Sequence, residues 1–152
     1  MTAVEQMVLD TNVVLDCFMF CDPAARVIVS AIESGHWQWI ATPDMTREVG
    51  LVVDRPELYR WQSRRAATMA ALTGYTKMVA RPASSTPREL TCGDRDDQKF
   101  IDLAWTHRAS HLFTRDKALL RLAGRAQPSG VRVLRPIDWR ACDDGLPKPP
   151  AP

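Results

Sequence analysis

Four acidic residues spread along the chain have the chemistry of ligands for a divalent cation: Asp10, Glu48, Asp97 and Asp116. Asp10 directly follows the apolar residues 7–9, and Asp116 comes two residues after the apolar segment 112–114. Carboxylate oxygens are the ligands that Mg²⁺ and similar hard cations prefer in proteins. If the fold brings the four acids together, they predict a metal site that activates water.

The positions of Glu48 and Asp97 on helices predict that both point inward. Glu48 lies on the apolar stripe of the segment that begins at Pro43, and Asp97 precedes the stripe of the segment that begins at Asp94 by three to four residues. Asp96 and Asp102 lie off that second stripe, so we expect them to be solvated. The first stripe is Met45, Val49 and Val52, and the second is Phe100, Ile101 and Ala104.

Each acid also has a purely structural interpretation. Asp10 and Asp116 have the position of helix N-caps, and Asp94 and Asp97 have the spacing of a capping box. Glu48 is placed either to pair with an Arg across the core or to reach solvent. Each structural role is the more common one for a single residue. Because four acids converge and no Arg or Lys is evident at matching buried positions, the joint pattern favours a metal site.

The elements that must position these acids alternate between strands and helices. Parallel neighbours in a sheet need long crossovers, so the alternation predicts a parallel sheet with its ligand site beyond the carboxyl ends of the strands. Residues 81–93 are rich in Pro, Ser and Thr, which indicates a loop. Strands are expected at residues 6–9, 37–41, 77–80, 112–114 and 131–134, and helices at about 12–20, 23–35, 43–53, 57–72, 94–107 and 117–123, with Gly74 ending the fourth helix.

Composition indicates one globular domain over residues 1–140, followed by a Pro-rich tail, 141–152, that we expect to be disordered. With 152 residues, 45% of them hydrophobic, the chain is long enough to bury a core. The apolar runs are too short to span a membrane and the N-terminus lacks a signal peptide, so we expect a cytoplasmic protein. The four cysteines contain no Cys-x-x-Cys pair, which favours buried, reduced thiols over a zinc site.

Three segments carry a resemblance to a known family. They are DRDDQKFIDLA at residues 94–104, HLFTRDKALL at residues 111–120 and, less specifically, VLDTNV at residues 8–13. The first two, at this separation, resemble the paired C-terminal signature of the PIN-domain family, in its branch of bacterial toxins from toxin–antitoxin systems. The resemblance runs from about residue 7 to residue 138.

The resemblance implies a three-layer α/β/α sandwich with a central parallel sheet, whose acidic pocket binds Mg²⁺ or Mn²⁺ and cleaves RNA with a metal-activated water. It also implies an antitoxin protein as a partner and allows a homodimer. The residues that match the acidic quartet are Asp10, Glu48, Asp97 and Asp116, and those that fall beside them as supporting residues are Thr11, Asn12 and Thr114.

Arginines are the candidates for contacts with RNA. Arg115 departs from the family pattern, in which a small residue is usual, and three placements are open to it: pairing with the quartet, contacting the scissile phosphate, or extending into solvent. Arg60, Arg64 and Arg65 fall on one exposed part of the helix expected from Glu57. We expect them to contact phosphates, although a solvated helix face explains them equally simply.

Three functions from different classes fit these residues. The leading one is a metal-dependent ribonuclease that acts as a toxin. A PIN scaffold that binds RNA or protein without cutting ranks second. It stands below the nuclease because all four acids that catalysis would use are present. The third is an aspartyl-phosphate phosphotransfer domain, to which the segment after the first strand has a superficial likeness. That motif needs a second acid where this chain has Asn12.

Overall fold

The computed structural model describes residues 4–83 and 86–140, which form an α/β fold around a parallel five-stranded sheet. The disorder predicted for residues 141–152 concerns a segment outside these ranges. Cys142 lies in that segment. The strands are β1 (Glu5–Leu9), β2 (Trp37–Ala41), β3 (Thr76–Met78), β4 (His111–Phe113) and β5 (Arg132–Leu134), and their order in the sheet is β3-β2-β1-β4-β5. All four pairings are parallel, as predicted.

Helices cover both faces of the sheet and give the predicted three-layer sandwich. Alternation along β1 sends Met7 and Leu9 into one apolar cluster and Val8 into the other, which is the pattern of a strand buried on both faces. The helices are α1 (Thr11–Phe18), α2 (Arg26–Glu33), α3 (Pro43–Val52), α4 (Arg65–Tyr75), α5 (Gln98–Thr106), α6 (Lys117–Leu120) and α7 (Ala123–Ala126). Within the described ranges, no helix is long and apolar enough to cross a bilayer.

Four predicted helices differ from the structure. The segment expected at 23–35 begins as a 3₁₀ helix, Pro23–Ala25, before α2. The segment expected at 57–72 is a 3₁₀ helix, Pro56–Arg64, followed by α4. Gly74 does not end α4, which continues to Tyr75, because Gly74 lacks the positive φ that a glycine stop requires. The segment expected from Asp94 begins as a 3₁₀ turn, Arg95–Asp97, and the one expected at 117–123 divides into α6 and α7.

The connections reverse direction between β1 and β4. From β1 the chain proceeds outward through β2 to β3, and it then returns to place β4 and β5 on the other side of β1. At such a switch point the two adjacent crossovers diverge and leave a crevice beyond the carboxyl ends of the strands. Asp10 follows β1 and Asp116 follows β4, so both acids lie at this crevice.

Candidate metal centre

Asp10 is the buried acid at the carboxyl end of β1, with only 4% of its surface exposed. It caps α1: Oδ1 accepts a hydrogen bond from the backbone N–H of Asn12 at 3.3 Å. Its Oδ2 accepts a hydrogen bond from the hydroxyl of Thr114 at 2.7 Å, and the Thr114 oxygen in turn accepts from the backbone N–H of Asp116 at 2.9 Å. Thr114 therefore joins the end of β1 to the turn that carries Asp116.

Asp94, Asp97 and Asp116 form the acidic cluster, in which one carboxylate oxygen from each residue lies within 4.8 Å of the others. Asp94 caps the 3₁₀ turn Arg95–Asp97 by accepting from the backbone N–H of Asp96 at 2.9 Å. Asp116 caps α6 by accepting from the N–H of Ala118 at 2.7 Å. The N-cap roles considered from the sequence are thus present for Asp10, Asp94 and Asp116, whereas the side chain of Asp97 makes no capping hydrogen bond at the start of α5. The carboxylates of Asp94 and Asp116 that cap these turns also converge with that of Asp97.

The electrostatics of the cluster are those of crowded carboxylates. Burial, the hydrogen bond with Asp116 and the charges of Asp10 and Asp116 raise the pKa of Asp97 to about 8. The same hydrogen bond lowers the pKa of Asp116, with help from the backbone N–H groups of α6. Burial raises the pKa of Asp10, and the charges of Asp116 and Glu48 raise it further. Without a cation, the hydrogen bond between Asp97 and Asp116 therefore favours the protonated form of Asp97 and the ionised form of Asp116.

Glu48 lies beside this cluster but is held by two donors of its own. The hydroxyl of Thr11 donates to Oε2, and the ammonium of Lys99 donates to Oε1 at 2.8 Å. The sequence-based expectation concerned buried Arg or Lys, and the basic partner that reaches Glu48 is Lys99 on α5, which is only partly buried. Thr11 supports Glu48, while Asn12 holds Asp10 through its backbone and has an exposed side chain.

Arg115 takes none of the three placements considered from the sequence. Its guanidinium forms a bidentate ion pair with Asp16 on α1, at 2.7 Å from Nε to Oδ2 and 3.2 Å from Nη2 to Oδ1. Asp16 is buried, which raises its pKa, and the hydrogen bond and charge of Arg115 partly offset that rise. The pair attaches the turn that carries Asp116 to α1.

The three arginines expected on one exposed helix face have separate intramolecular partners. Arg65 pairs with Asp54 at 2.6 Å, and Arg64 donates to the carbonyl of Phe18 at 2.9 Å. The guanidinium carbon of Arg60 lies 5.1 Å from the centre of the Trp61 ring. These contacts fix where the side chains lie in the free protein, and Arg60 and Arg64 remain exposed.

A cleft of about 660 Å³ has Arg95, Asp96 and Lys99 in its wall, close in the chain to Asp97, whereas the described residues that line it include none of the converging acids. Asp96 is exposed, as predicted. Asp102 is not simply solvated: it accepts from the hydroxyl of Thr86 at 2.7 Å and from Nε2 of Gln98 at 2.9 Å. These bonds hold the wall of the cleft to α5.

Sequence reasoning missed two residues of this site. Asp94 was assigned only as a cap, although its spacing of three from Asp97 puts both carboxylates on one side of a helical turn. Lys99 gave no local signal, because its partner Glu48 lies 51 positions earlier in the chain. The cysteine prediction is right for the buried Cys17 and Cys92, which are free thiols, and wrong for Cys21, which is free but exposed.

Comparisons with known proteins agree with this architecture. A family model of the PIN domain matches residues 6–118. In structure, the chain is similar to a chain in the crystal structure of VapBC2 from Rickettsia felis. In that crystal structure, VapBC2 is bound to a DNA fragment from the VapBC2 promoter. That match has a TM-score of 0.57 at 11% identity and covers 86% of this chain and 97% of that chain, which shows a shared fold. No curated protein matches the sequence significantly.

The family match spans most of the chain and includes the carboxyl ends of β1 and β4, with Asp10, Glu48, Asp97 and Asp116 all inside it. It confirms the resemblance inferred from the three sequence segments. The protein belongs to the PIN-domain family.

Proposed function

We propose that this protein is a metal-dependent endoribonuclease and the toxin of a toxin–antitoxin pair. The observation that carries the proposal is the convergence of Asp94, Asp97 and Asp116 beside the buried Asp10, at the switch point of a parallel sheet. Sites for ligands in open α/β sheets lie at this position. We place its action in the cytoplasm, where its RNA substrates are.

The residues present fit a hard divalent cation such as Mg²⁺ or Mn²⁺. All the convergent ligand atoms are carboxylate oxygens, which suit these ions. Burial first, and then the hydrogen bond and the charges of the neighbouring acids, raise the pKa of Asp97, and a bound cation would offset the negative charge of these acids. The ligands we propose are Asp10, Asp97 and Asp116, with Glu48 completing the quartet and Asp94 within reach. A bound ion of this kind lowers the pKa of water and offsets charge on phosphoryl oxygens.

The protein supplies orientation and a proton acceptor. Thr114 and the backbone N–H of Asn12 fix both oxygens of Asp10, and Thr11 fixes Oε2 of Glu48. The hydrogen bond between the side chains of Asp97 and Asp116 raises the pKa of Asp97 and lowers that of Asp116. Ionised Asp97 is therefore suited to take the proton of the water that attacks phosphorus, with Asp116 as the alternative acceptor.

The proposed partners are RNA and an antitoxin protein. The toxin of such a pair needs a protein that inhibits it. A solved structure that shares this fold is that of VapBC2 from Rickettsia felis, bound to a DNA fragment from the VapBC2 promoter. We propose that Arg60, Arg64 and Arg65 contribute phosphate contacts and that Arg115 contributes one by releasing Asp16. A homodimer is also proposed, although Trp61 and Met69 are partly buried against the core.

The test is incubation of the purified protein with labelled RNA, with and without Mn²⁺. Asp97→Asn should keep the fold and abolish cleavage, because an amide binds the cation poorly and cannot accept the proton. Asp96→Asn is the matched control: Asp96 is the adjacent, exposed acid, and its variant should cleave like the parent. Equal losses in the two variants would contradict the assignment. A parent that binds RNA in Mn²⁺ without cutting it would favour the scaffold function instead.

A further inference from the structure

Lys99 is a cation at the edge of an otherwise acidic site. It lies on α5 two residues after Asp97, and its ammonium is 2.8 Å from Oε1 of Glu48 on α3. The side chain is 31% exposed and the ammonium lies 5.1 Å from the ring centre of the buried Phe100. One side of Lys99 therefore contacts the protein, and the other borders the cleft of about 660 Å³.

The surrounding negative charges favour such a cation as a contact for a polyanionic substrate. Three carboxylates converge at the site and two more lie near enough to act on them electrostatically, so RNA phosphates approaching them are repelled unless positive charge is present. Lys99 is bonded to one of these acids, Glu48, and the positive charge of Arg121 helps to lower the pKa of Asp116. Arg81 and Arg95 line the same cleft as Lys99. The five acids are Asp10, Glu48, Asp94, Asp97 and Asp116.

We propose that Lys99 is an RNA-binding residue that contacts a phosphate next to the scissile bond, and that it is held on Glu48 until the substrate arrives. This inference rests on the proposed function. The exchange replaces one N–H···O hydrogen bond to a carboxylate by one to a phosphate oxygen, and the flexible four-carbon stem of Lys allows it. Glu48, freed from Lys99, would then be available with Asp10 to hold a divalent cation.

The exchange has a consequence that a merely structural ion pair lacks. While Lys99 holds Glu48, its positive charge opposes a cation at the neighbouring acids. Removing the ammonium should therefore tighten metal binding and weaken RNA binding at once. A structural role predicts the opposite for the metal, because Glu48 would lose the contact that positions it.

The experiment compares Lys99→Met with Lys99→Arg and with Lys77→Met, which removes the same charge from the exposed β3. Mn²⁺ affinity is measured by calorimetry, and affinity for a labelled single-stranded RNA by fluorescence anisotropy in chelator across a salt series. Lys99→Met should bind Mn²⁺ about threefold to tenfold more tightly. It should bind RNA about threefold to tenfold more weakly, with a salt slope reduced by about 0.7. Lys99→Arg should remain close to the parent in both measurements, and Lys77→Met should leave both unchanged.

The outcomes separate this inference from the proposed function. If the parent cleaves RNA but Lys99→Met keeps the parent's RNA affinity and salt slope, the proposed function stands and the phosphate contact is refuted. A loss of Mn²⁺ affinity in Lys99→Met would also refute it, in favour of a structural role. If the parent binds RNA through Lys99 but cleaves none in Mn²⁺, the contact stands and the nuclease proposal fails. A parent that binds no RNA refutes both.

Discussion

The charge of Asp97 should destabilise the metal-free protein, so Asp97→Asn should melt at a higher temperature than the parent in chelator. The pKa of Asp97 in the folded protein is about 8, against an ordinary value of 3.8. A folded state that binds a proton more tightly than the unfolded state gains stability from that proton below the ordinary pKa and loses it as the pH rises. The loss should therefore run from about pH 4 to about pH 8. Asp116, whose pKa is lowered, affects stability only at the acid end of this range.

The size of the effect follows from the same pKa. Each pH unit corresponds to about 1.36 kcal/mol, so an unscreened group would lose roughly 6 kcal/mol across the window. Asp97 is partly exposed, and solvent screens its repulsion, so we expect about 2–3 kcal/mol. In a chain of this size that is roughly 5–10 °C in Tm. Asn cannot ionise and still offers a donor to Asp116, so the variant should keep the stability that the parent loses.

The assay is thermal melting of the parent, Asp97→Asn and Asp96→Asn at pH 5 and pH 9, in chelator and in millimolar Mn²⁺. The parent should gain Tm from Mn²⁺, because a ligand bound only by the folded state stabilises it by about 2.7 kcal/mol at a hundredfold excess over Kd. Asp97→Asn should lose most of that gain, and Asp96→Asn should follow the parent. A parent without a metal shift, together with an Asp97→Asn protein that melts well below it at pH 9 in chelator, would mean that the acids are structural caps.

Three further expectations follow from the contacts of the site. Thr114→Val should cost about 1–3 kcal/mol in urea unfolding and also weaken Mn²⁺ binding, because it leaves Asp10 and a backbone N–H without their partner; unchanged stability would contradict the contact. Arg115→Ala should lower unfolding stability at pH 7 more than Asp16→Ala does, because only the first leaves a buried carboxylate unpaired; the reverse order would refute the argument. Replacing Arg60, Arg64 and Arg65 together by Gln should reduce the salt slope of RNA binding by about 0.7 for each lost phosphate contact. An unchanged slope would mean that these arginines form a solvated face and do not contact RNA.

The positions of the strands along the chain were predictable because their signals are local. Residues 37–41 were expected as a strand and form β2 with the same bounds, since a short apolar run bordered by Gly35 and Pro43 leaves little choice. The 3₁₀ helix Pro56–Arg64 was not predicted. Its residues have the composition of an ordinary helix, and the difference lies in backbone hydrogen bonding that side-chain type does not specify.

The acids were predictable from position, whereas their partners were not. Asp10 and Asp116 follow strands, and parallel strands bring their carboxyl ends to one edge whatever the details of packing. Ion pairs depend instead on the reach of long side chains between elements distant in sequence. Asp16 and Arg115 lie 99 positions apart, and Glu48 and Lys99 lie 51 apart, so no spacing rule connects them.

The two halves of the site therefore differ in how firmly they are held. Asp10 is buried, and both of its oxygens accept hydrogen bonds from groups at the sheet edge, so its position is part of the fold. Asp94 is exposed and Asp97 is partly exposed on the opening turn before α5, where partial burial and then the neighbouring acids raise the pKa of Asp97. A change at Thr114 should consequently reduce stability and metal affinity together. A change at Asp97 should move them in opposite directions, because there the charge that binds the cation is the charge that strains the metal-free protein.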